Sequence, residues 1–487
     1  MAVSPGALTF YADWRSKHVR AAFLSETDRP VPERVLQSLW HHQRLLREKL
    51  KTLDGKPVRV LHPGFWNHEA GPDFRGAVVQ FGQEPAVSGD IEIDLRSEGW
   101  RAHGHDRNPN YAHVVLHVVW EPGGTVTAPA PTLALERFLD SPMDELFSWL
   151  GSDSAKGWPA DLVGKCCAPL CELPEARLAE LLRQAAQVRL QRKAEQIQAR
   201  ARHAGWEQTL WEGIFRALGY KQNIWAMQQL GELMADPEFA ALGQPESALS
   251  WQARLLGLGG LLPTQSDPKE NGSYLRSIWD IWWRERDAAR TLIHPKTLWH
   301  FNGLRPANLP QRRLALVSHW LANKDFIFSL EKWFTTQTAD TSPLDTLLGL
   351  LQVQDDRFWS WHWTFRSVRL PHPQPLIGAA RVSDLAINVI LPWFWMRAVA
   401  GKNEELKQRA EQIYFKWPAA EDNSVLRLAR HRLLGGLAPR KVKTAAMQQG
   451  LLQIVKDFCE HSSAICADCR FPDLVRSWNL QPSDEMG

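Results

Sequence analysis

At 487 residues, with 44% hydrophobic and 23% charged side chains, the chain has an ordinary globular composition and enough length for two or three cores. Its formal charge is +3, from 57 basic against 54 acidic residues, which excludes a nucleic-acid coat or a membrane-surface protein built on bulk charge. Any basic surface must be local.

The first 30 residues form an N-terminal extension without a continuous apolar run, so no secretory signal is expected and the chain is read as cytoplasmic. From 33 to 50, "ERVLQSLWHHQRLLREKL" spaces Val35, Leu36, Leu39, Trp40 and Leu46 as one stripe of an amphipathic helix. The period then changes. "PVRVLHPG", "GAVVQF", "GDIEIDL" and "AHVVLHVVWEP" are β-branched runs bounded by turn residues, which predicts an α/β domain over 31–150 with at least four strands.

Residues 151–173 are rich in small and turn residues and carry Cys166, Cys167 and Cys171, which marks a linker. Pro174 opens and Gly205 closes a long helix, and nearly everything after it has helical spacing, so 174–487 is predicted as a large all-α domain. Within it, "LAINVILPWFWMRAVAG" (385–401) contains Asn388, Pro392 and Arg397 and falls short of the roughly 20 residues of a membrane span, so a buried helix and no membrane are expected. The 24 tryptophans, many at helical spacing as in Trp279, Trp282 and Trp283 or Trp359, Trp361 and Trp363, read as core residues before base-stacking platforms.

The chemistry concentrates between 70 and 106. Alternation along "GDIEIDL" puts Ile91, Ile93 and Leu95 on one face and Asp90, Glu92 and Asp94 on the other. Stacked carboxylates repel and raise one another's pKa, a cost that a bound Mg²⁺ or Mn²⁺ removes. Asp73 precedes the neighbouring strand, 19 residues before Glu92, and so joins Asp90 and Glu92 as a candidate metal ligand. Pro72-Asp73 and Glu92 resemble the Pro-Asp turn and E-x-K strand of the PD-(D/E)XK nuclease fold, which implies a restriction-endonuclease-like mixed sheet and metal-dependent cleavage of nucleic acid. In that resemblance the lysine position is occupied by Asp94, and no lysine occurs between Lys56 and Lys156. His103, His105, Arg96 and Arg101 are the candidates to replace it, with His103 or His105 near the attacking water. Imidazoles beside carboxylates also suit Mn²⁺, Fe²⁺ or Zn²⁺, and His103-x-His105 allows a cupin-like metal site. His113 and His117 are expected as buried or sheet-edge imidazoles.

A broader resemblance rests on "LHPGFWNHEAGPDF", "GDIEIDLRSEGWRAHGHD", "YAHVVLHVVWE", "VRLQRKAE", "LGYKQN", "LRPANLPQRRLA" and "AINVILP". Together these resemble a bacterial family known as domain of unknown function 2851, over about 33–470. Members of that family usually look like E-I-H where this chain has Glu92-Ile93-Asp94. The resemblance implies that the α/β and helical parts belong together.

Two further groups of residues are candidates. Arg189, Lys193 and Arg200 share a helix face, and "RPANLPQRR" presents Arg305 and Arg313 from a proline-bracketed entry loop; all five are candidate contacts to a nucleic-acid backbone. Cys459, Cys466 and Cys469 form a C-x6-C-x2-C run that, with Cys167 or its neighbours Cys166 and Cys171, would hold structural Zn²⁺ or an iron-sulfur cluster. The expected function is a metal-dependent nuclease with Asp73, Glu92, Asp94, His103 and His105 in its active site. The competing expectation is a non-catalytic nucleic-acid-binding or scaffold protein.

Overall fold

Runs of β-branched residues between 58 and 121 need partners for their backbone groups, and in the computed structural model they find them in one mixed sheet. The structure describes residues 10–24, 31–150, 164–263, 272–435, 442–459 and 469–480, apart from 32, 68–69, 125, 127, 221, 338–340 and 421–422. Helix α1 (Phe10–Leu24) is followed by α2 (Glu33–His42) and by strands β1 (Val58–His62), β2 (Phe65–Trp66), β3 (Phe74–Phe81) and β4 (Val87–Arg96). A short helix α3 (Gly99–Ala102) crosses to β5 (Val114–Glu121), β6 (Thr132–Ala134) and α4 (Met143–Leu150).

The sheet order is β1-β3-β4-β5-β6, with β2 paired to β3. The first three long strands form an antiparallel meander, while β5 runs parallel to β4 and β6 parallel to β5. Parallel pairing requires a crossover, and α3 with its flanking turns supplies it.

One face of this sheet is covered locally. Val58, Val60, Phe74, Val79, Ile91, Ile93, Leu116 and Val118 pack with Leu36, Leu39 and Trp40 of α2 and Trp149 of α4 in one core. Trp40 is fully buried, and its indole N–H donates to the carbonyl of Pro63 at 2.9 Å, so this large core residue keeps its polar atom satisfied.

From the opposite face, Leu61 and Val78 enter the main helical core, whose members come from α6 (Glu175–Ala204), α7 (Trp206–Leu218), α8 (Ile224–Leu233) and later helices. Helix α6 starts after Pro174 and stops at Gly205, whose φ of +83° breaks the helical path. Gln229 Nε2 donates to Val60 O at 3.1 Å, Arg59 pairs with Asp236 at 2.9 Å, and Arg47 with Glu232 at 3.4 Å. The sheet and the helical part are therefore joined by buried apolar surface as well as by polar ties.

A third core gathers Tyr11 of α1, Leu170 of α5 (Cys167–Glu172), Leu178 and Leu182 of α6, and Phe458, Phe471 and Trp478 near the C-terminus. Thus the N-terminal extension packs inside the helical part, at least over α1. The apolar helix Ala379–Ala400 is long and apolar enough to cross a membrane, yet 78% of its apolar window is buried inside the protein, as expected of a core helix. The tryptophans are largely core residues too: Trp282 and Trp359 are buried, whereas Trp283 is 63% exposed.

Candidate metal centre at the end of strand β4

Strand β4 outlasts its antiparallel neighbour. β3 begins at Phe74, opposite Ile91, so the Ile93 amide extends past the start of β3, and Asp73 turns back to fill the gap. The Ile93 N–H donates to Asp73 Oδ2 at 3.1 Å, and the Asp73 N–H donates to Glu92 Oε2, also at 3.1 Å. Two residues 19 apart in sequence are brought together by ladder geometry alone. From α2, Gln37 Nε2 donates to Asp73 Oδ1 at 2.8 Å, and Glu33 adds a further carboxylate to the surroundings.

Glu92 is 6% exposed. Burial, reinforced by Asp73 and Asp94, pushes its carboxyl up to about 9, and burial with Glu33 pushes Asp73 up to about 7. Among the described residues no lysine or arginine stands among the main influences on either carboxyl, and a divalent cation would supply the compensating charge. Asp90 is set apart from this group: its Oδ1 accepts the Gly76 N–H at 3.1 Å, so its carboxylate serves the β3–β4 ladder.

Asp94 is 1% exposed and has a histidine on either side. Its Oδ2 is 2.9 Å from Nε2 of His117, which lies next to Glu92 in the β4–β5 register and is fully buried. Its Oδ1 is 2.9 Å from Nδ1 of His103. Gly104, with φ +73°, reverses the backbone after α3, so His103 and His105 converge on β4 although they leave the chain two residues apart. His105 Nε2 is 3.0 Å from Glu92 Oε1, its ring stacks on Tyr111 with centroids 4.0 Å apart, and Trp100 packs edge-on against it. Burial lowers the His105 pKa and raises that of Tyr111 to about 12, which leaves a neutral imidazole against a neutral phenol.

Asp73, Glu92, Asp94, His103 and His105 thus lie side by side in one cluster, while one oxygen of Asp90 is taken by the Gly76 amide. Glu33, Gln37, Trp100, Tyr111 and the Asp94 partnership of His117 were not assigned to the site from sequence. The four-residue spacing of Glu33 and Gln37 on one helix face was the available signal.

The five basic candidates are placed differently. Arg313 is 4% exposed and donates to the Leu376 carbonyl at 2.8 Å and to Asn308 Oδ1 at 2.5 Å, so it fastens a loop and cannot reach a phosphate outside. Lys193 Nζ donates to Asn388 Oδ1 (2.6 Å) and Gln449 Oε1 (2.8 Å), and Arg189 Nε also donates to Gln449. Arg200 bridges Glu48 and Glu212. The stripe on α6 makes internal ties to the elements packed against it. Arg305 is exposed.

Among the cysteines, Cys167 faces Cys171 across one helical turn at 3.9 Å, and Cys171 Sγ lies 3.8 Å from the Leu434 carbonyl. Cys166 belongs to the third core, Cys469 packs at its edge, and Cys459 is buried next to Phe458. Cys466 lies outside the described residues.

No curated protein and no solved structure matches the chain. A family described as a protein of unknown function, DUF2851, matches residues 33–424, which includes α2, the whole sheet and most of the helical part. The chain belongs to the DUF2851 family.

Proposed function

We propose that the protein is a divalent-metal-dependent phosphodiesterase acting on nucleic acid, with a sheet related to the PD-(D/E)XK fold. The observation that carries this reading is the meeting of Asp73 and Glu92 on adjacent strands, buried and short of positive charge. Support also comes from the topology: a helix, an antiparallel meander and a crossover into parallel strands, with the aspartate at the start of β3 and the glutamate within β4.

The donor set fits Mg²⁺ or Mn²⁺, which need only one or two protein carboxylates and otherwise keep their waters. Asp73 and Glu92 would hold the ion, and a bound ion would supply a metal-activated water and charge stabilisation at the phosphate. Gln37 and the Ile93 amide orient Asp73, and the Asp73 amide orients Glu92. Arg75, Arg101 and Arg107 are exposed on the segments that frame the site and are the cations best placed to meet a phosphate backbone. A cupin-like site is a poorer fit, since that fold is an antiparallel double sheet and β4, β5 and β6 here are parallel.

The test is direct. Full-length protein with Mn²⁺ or Mg²⁺ is expected to cleave members of a panel of single- and double-stranded DNA and RNA, and cleavage should stop with chelator. Inertness across that panel with both ions would leave the non-catalytic binding or scaffold protein as the better reading.

A structural Zn²⁺ or iron-sulfur site is a second part of the proposal, favoured by the shared core of Cys166, Cys469 and Phe458, the neighbour of Cys459. Such a site would close a loop of almost 300 residues between Cys166 and Cys459. Purified protein is then expected to carry thiolate-bound zinc or a coloured cluster, and Cys459→Ser or chelation should lower the thermal midpoint, because metal binding to such a site is folding energy. Freely titrating thiols in anaerobically prepared protein, with neither zinc nor iron bound to them, would remove the staple.

A further inference from the structure

Beside the Asp73–Glu92 pair stands a second donor set. Asp94, His103 and His105 each offer a ligand atom, and the three atoms lie within 4.8 Å of one another. Asp94 Oδ1 and His105 Nε2 are both buried. They sit near polar neighbours but out of line with them, so neither makes a hydrogen bond. Buried polar atoms in that condition cost free energy unless something else satisfies them.

The surroundings hold these atoms in place. His117 fixes the other oxygen of Asp94, the supporting contact that orients a carboxylate ligand. Tyr111 and Trp100 fix the ring of His105. Residue 99 is glycine, where a Cβ would stand 2.6 Å from Asp94 Oδ1, so that position leaves the carboxylate uncrowded. His103 is 53% exposed, which leaves the group open to solvent on one side.

We infer that Asp94, His103 and His105 bind a transition-metal cation, Zn²⁺ or Mn²⁺ in class, at a site distinct from the Asp73–Glu92 pair. Two imidazoles and one carboxylate are the donor set of such ions and a poor one for Mg²⁺. Three protein ligands with a solvent-facing side leave a coordination position for water or substrate.

The site also answers the absence of lysine between Lys56 and Lys156. His105 touches Glu92, so a cation on His105 places positive charge beside the first carboxylate pair, where a lysine would otherwise stand. This role, unlike the site itself, rests on the phosphodiesterase reading above.

The experiment uses full-length protein stripped of metal and titrated with Co²⁺, followed by visible absorption, with Zn²⁺ as competitor. One Co²⁺ equivalent with histidine-carboxylate d–d bands is expected, displaced by Zn²⁺. His103→Ala, at an exposed position that folding tolerates, should weaken binding at least ~10-fold, and Asp94→Asn combined with His103→Ala should abolish it. Asp73→Asn and Cys459→Ser should leave the bands in place. Failure of the wild type to bind Co²⁺ or Zn²⁺ would overturn the inference. So would bands that survive the Asp94→Asn, His103→Ala double substitution, or bands lost in Asp73→Asn and kept in His103→Ala. Metal binding without cleavage of any nucleic acid would keep the site and discard its role beside Glu92.

Discussion

Glu92→Ala and Asp73→Ala are each expected to reduce metal-dependent cleavage of nucleic acid by at least ~100-fold while the protein stays folded. Both remove a polar side chain that belongs to none of the apolar cores, and the core neighbours Phe74, Ile91 and Ile93 stay in place, so the sheet should survive. The stability effect has the opposite sign to the activity effect. The Glu92 carboxyl has an ordinary value of 4.5 and is pushed up to about 9 in the folded chain, by burial first and by Asp73 second. Well below pH 4.5 folded and unfolded chains both hold the proton, and this group has no effect on stability. As pH rises from 4.5 towards 9, the unfolded chain releases the proton and the folded chain does not, so stability falls across that window.

Glu92→Gln removes that slope while keeping an oxygen for the Asp73 amide. At pH 8 and without divalent metal, the variant's thermal midpoint should lie above that of the wild type by on the order of 2–4 °C, and the two should converge in acid. Addition of Mg²⁺, which suits the carboxylate pair, should raise the midpoint of the wild type and leave Glu92→Gln little changed. Melts at several pH values, with and without metal, decide this. A wild type whose stability rises between pH 5 and 8 relative to Glu92→Gln would sink the electrostatic description of the site.

The largest effect on folding is expected at Asp457. This carboxylate is 1% exposed and accepts the Tyr11 hydroxyl at 2.8 Å, Arg15 Nε at 3.1 Å and Gln453 Nε2 at 2.9 Å, with Arg192 Nη1 at 3.8 Å. Arg192 in turn donates to the carbonyl of Trp149, and the Trp149 indole donates back to the Arg192 carbonyl at 3.2 Å. One carboxylate therefore ties α1 to the C-terminal helices and, through Arg192, to α4 beside the sheet. Asp457→Ala leaves Arg15 without this carboxylate and Tyr11 without an acceptor, and breaking a buried pair in this way costs about 3–5 kcal/mol. Tyr11→Phe removes one neutral donor and should cost only about 1 kcal/mol. Urea unfolding of the three proteins measures both. Asp457→Ala within about 0.5 kcal/mol of wild type would mean that the network contributes nothing net, as many ion pairs do.

Periodicity made the long elements legible in the sequence. The runs that became β1, β3, β4 and β5 alternate or are continuously β-branched, and Pro174 and Gly205 bracket α6 because one cannot continue a helix backwards and the other adopts a φ that ends it. The apolar stretch at 385–401 was readable as a core helix from its polar interruptions. Strands β2 and β6, of two and three residues, show no period of their own and exist only because β3 and β5 offer them an edge.

In the candidate site, alternation alone separates Ile91 and Ile93 from Glu92 and Asp94 and so assigns the acidic face. Which carboxylates share a centre depends on register, and register is a property of paired strands. Asp73 meets Glu92 because β3 starts opposite Ile91, and Asp90, on the same face by sequence, is drawn off by the Gly76 amide. Spacing along α6 put Arg189, Lys193 and Arg200 on one side of a helix, but only packing could decide what lies opposite, namely Gln449, Asn388, Glu48 and Glu212. The residues themselves determine which face of an element is polar; the tertiary structure decides whether that face meets solvent, another side chain or an ion, because the partners come from distant parts of the chain.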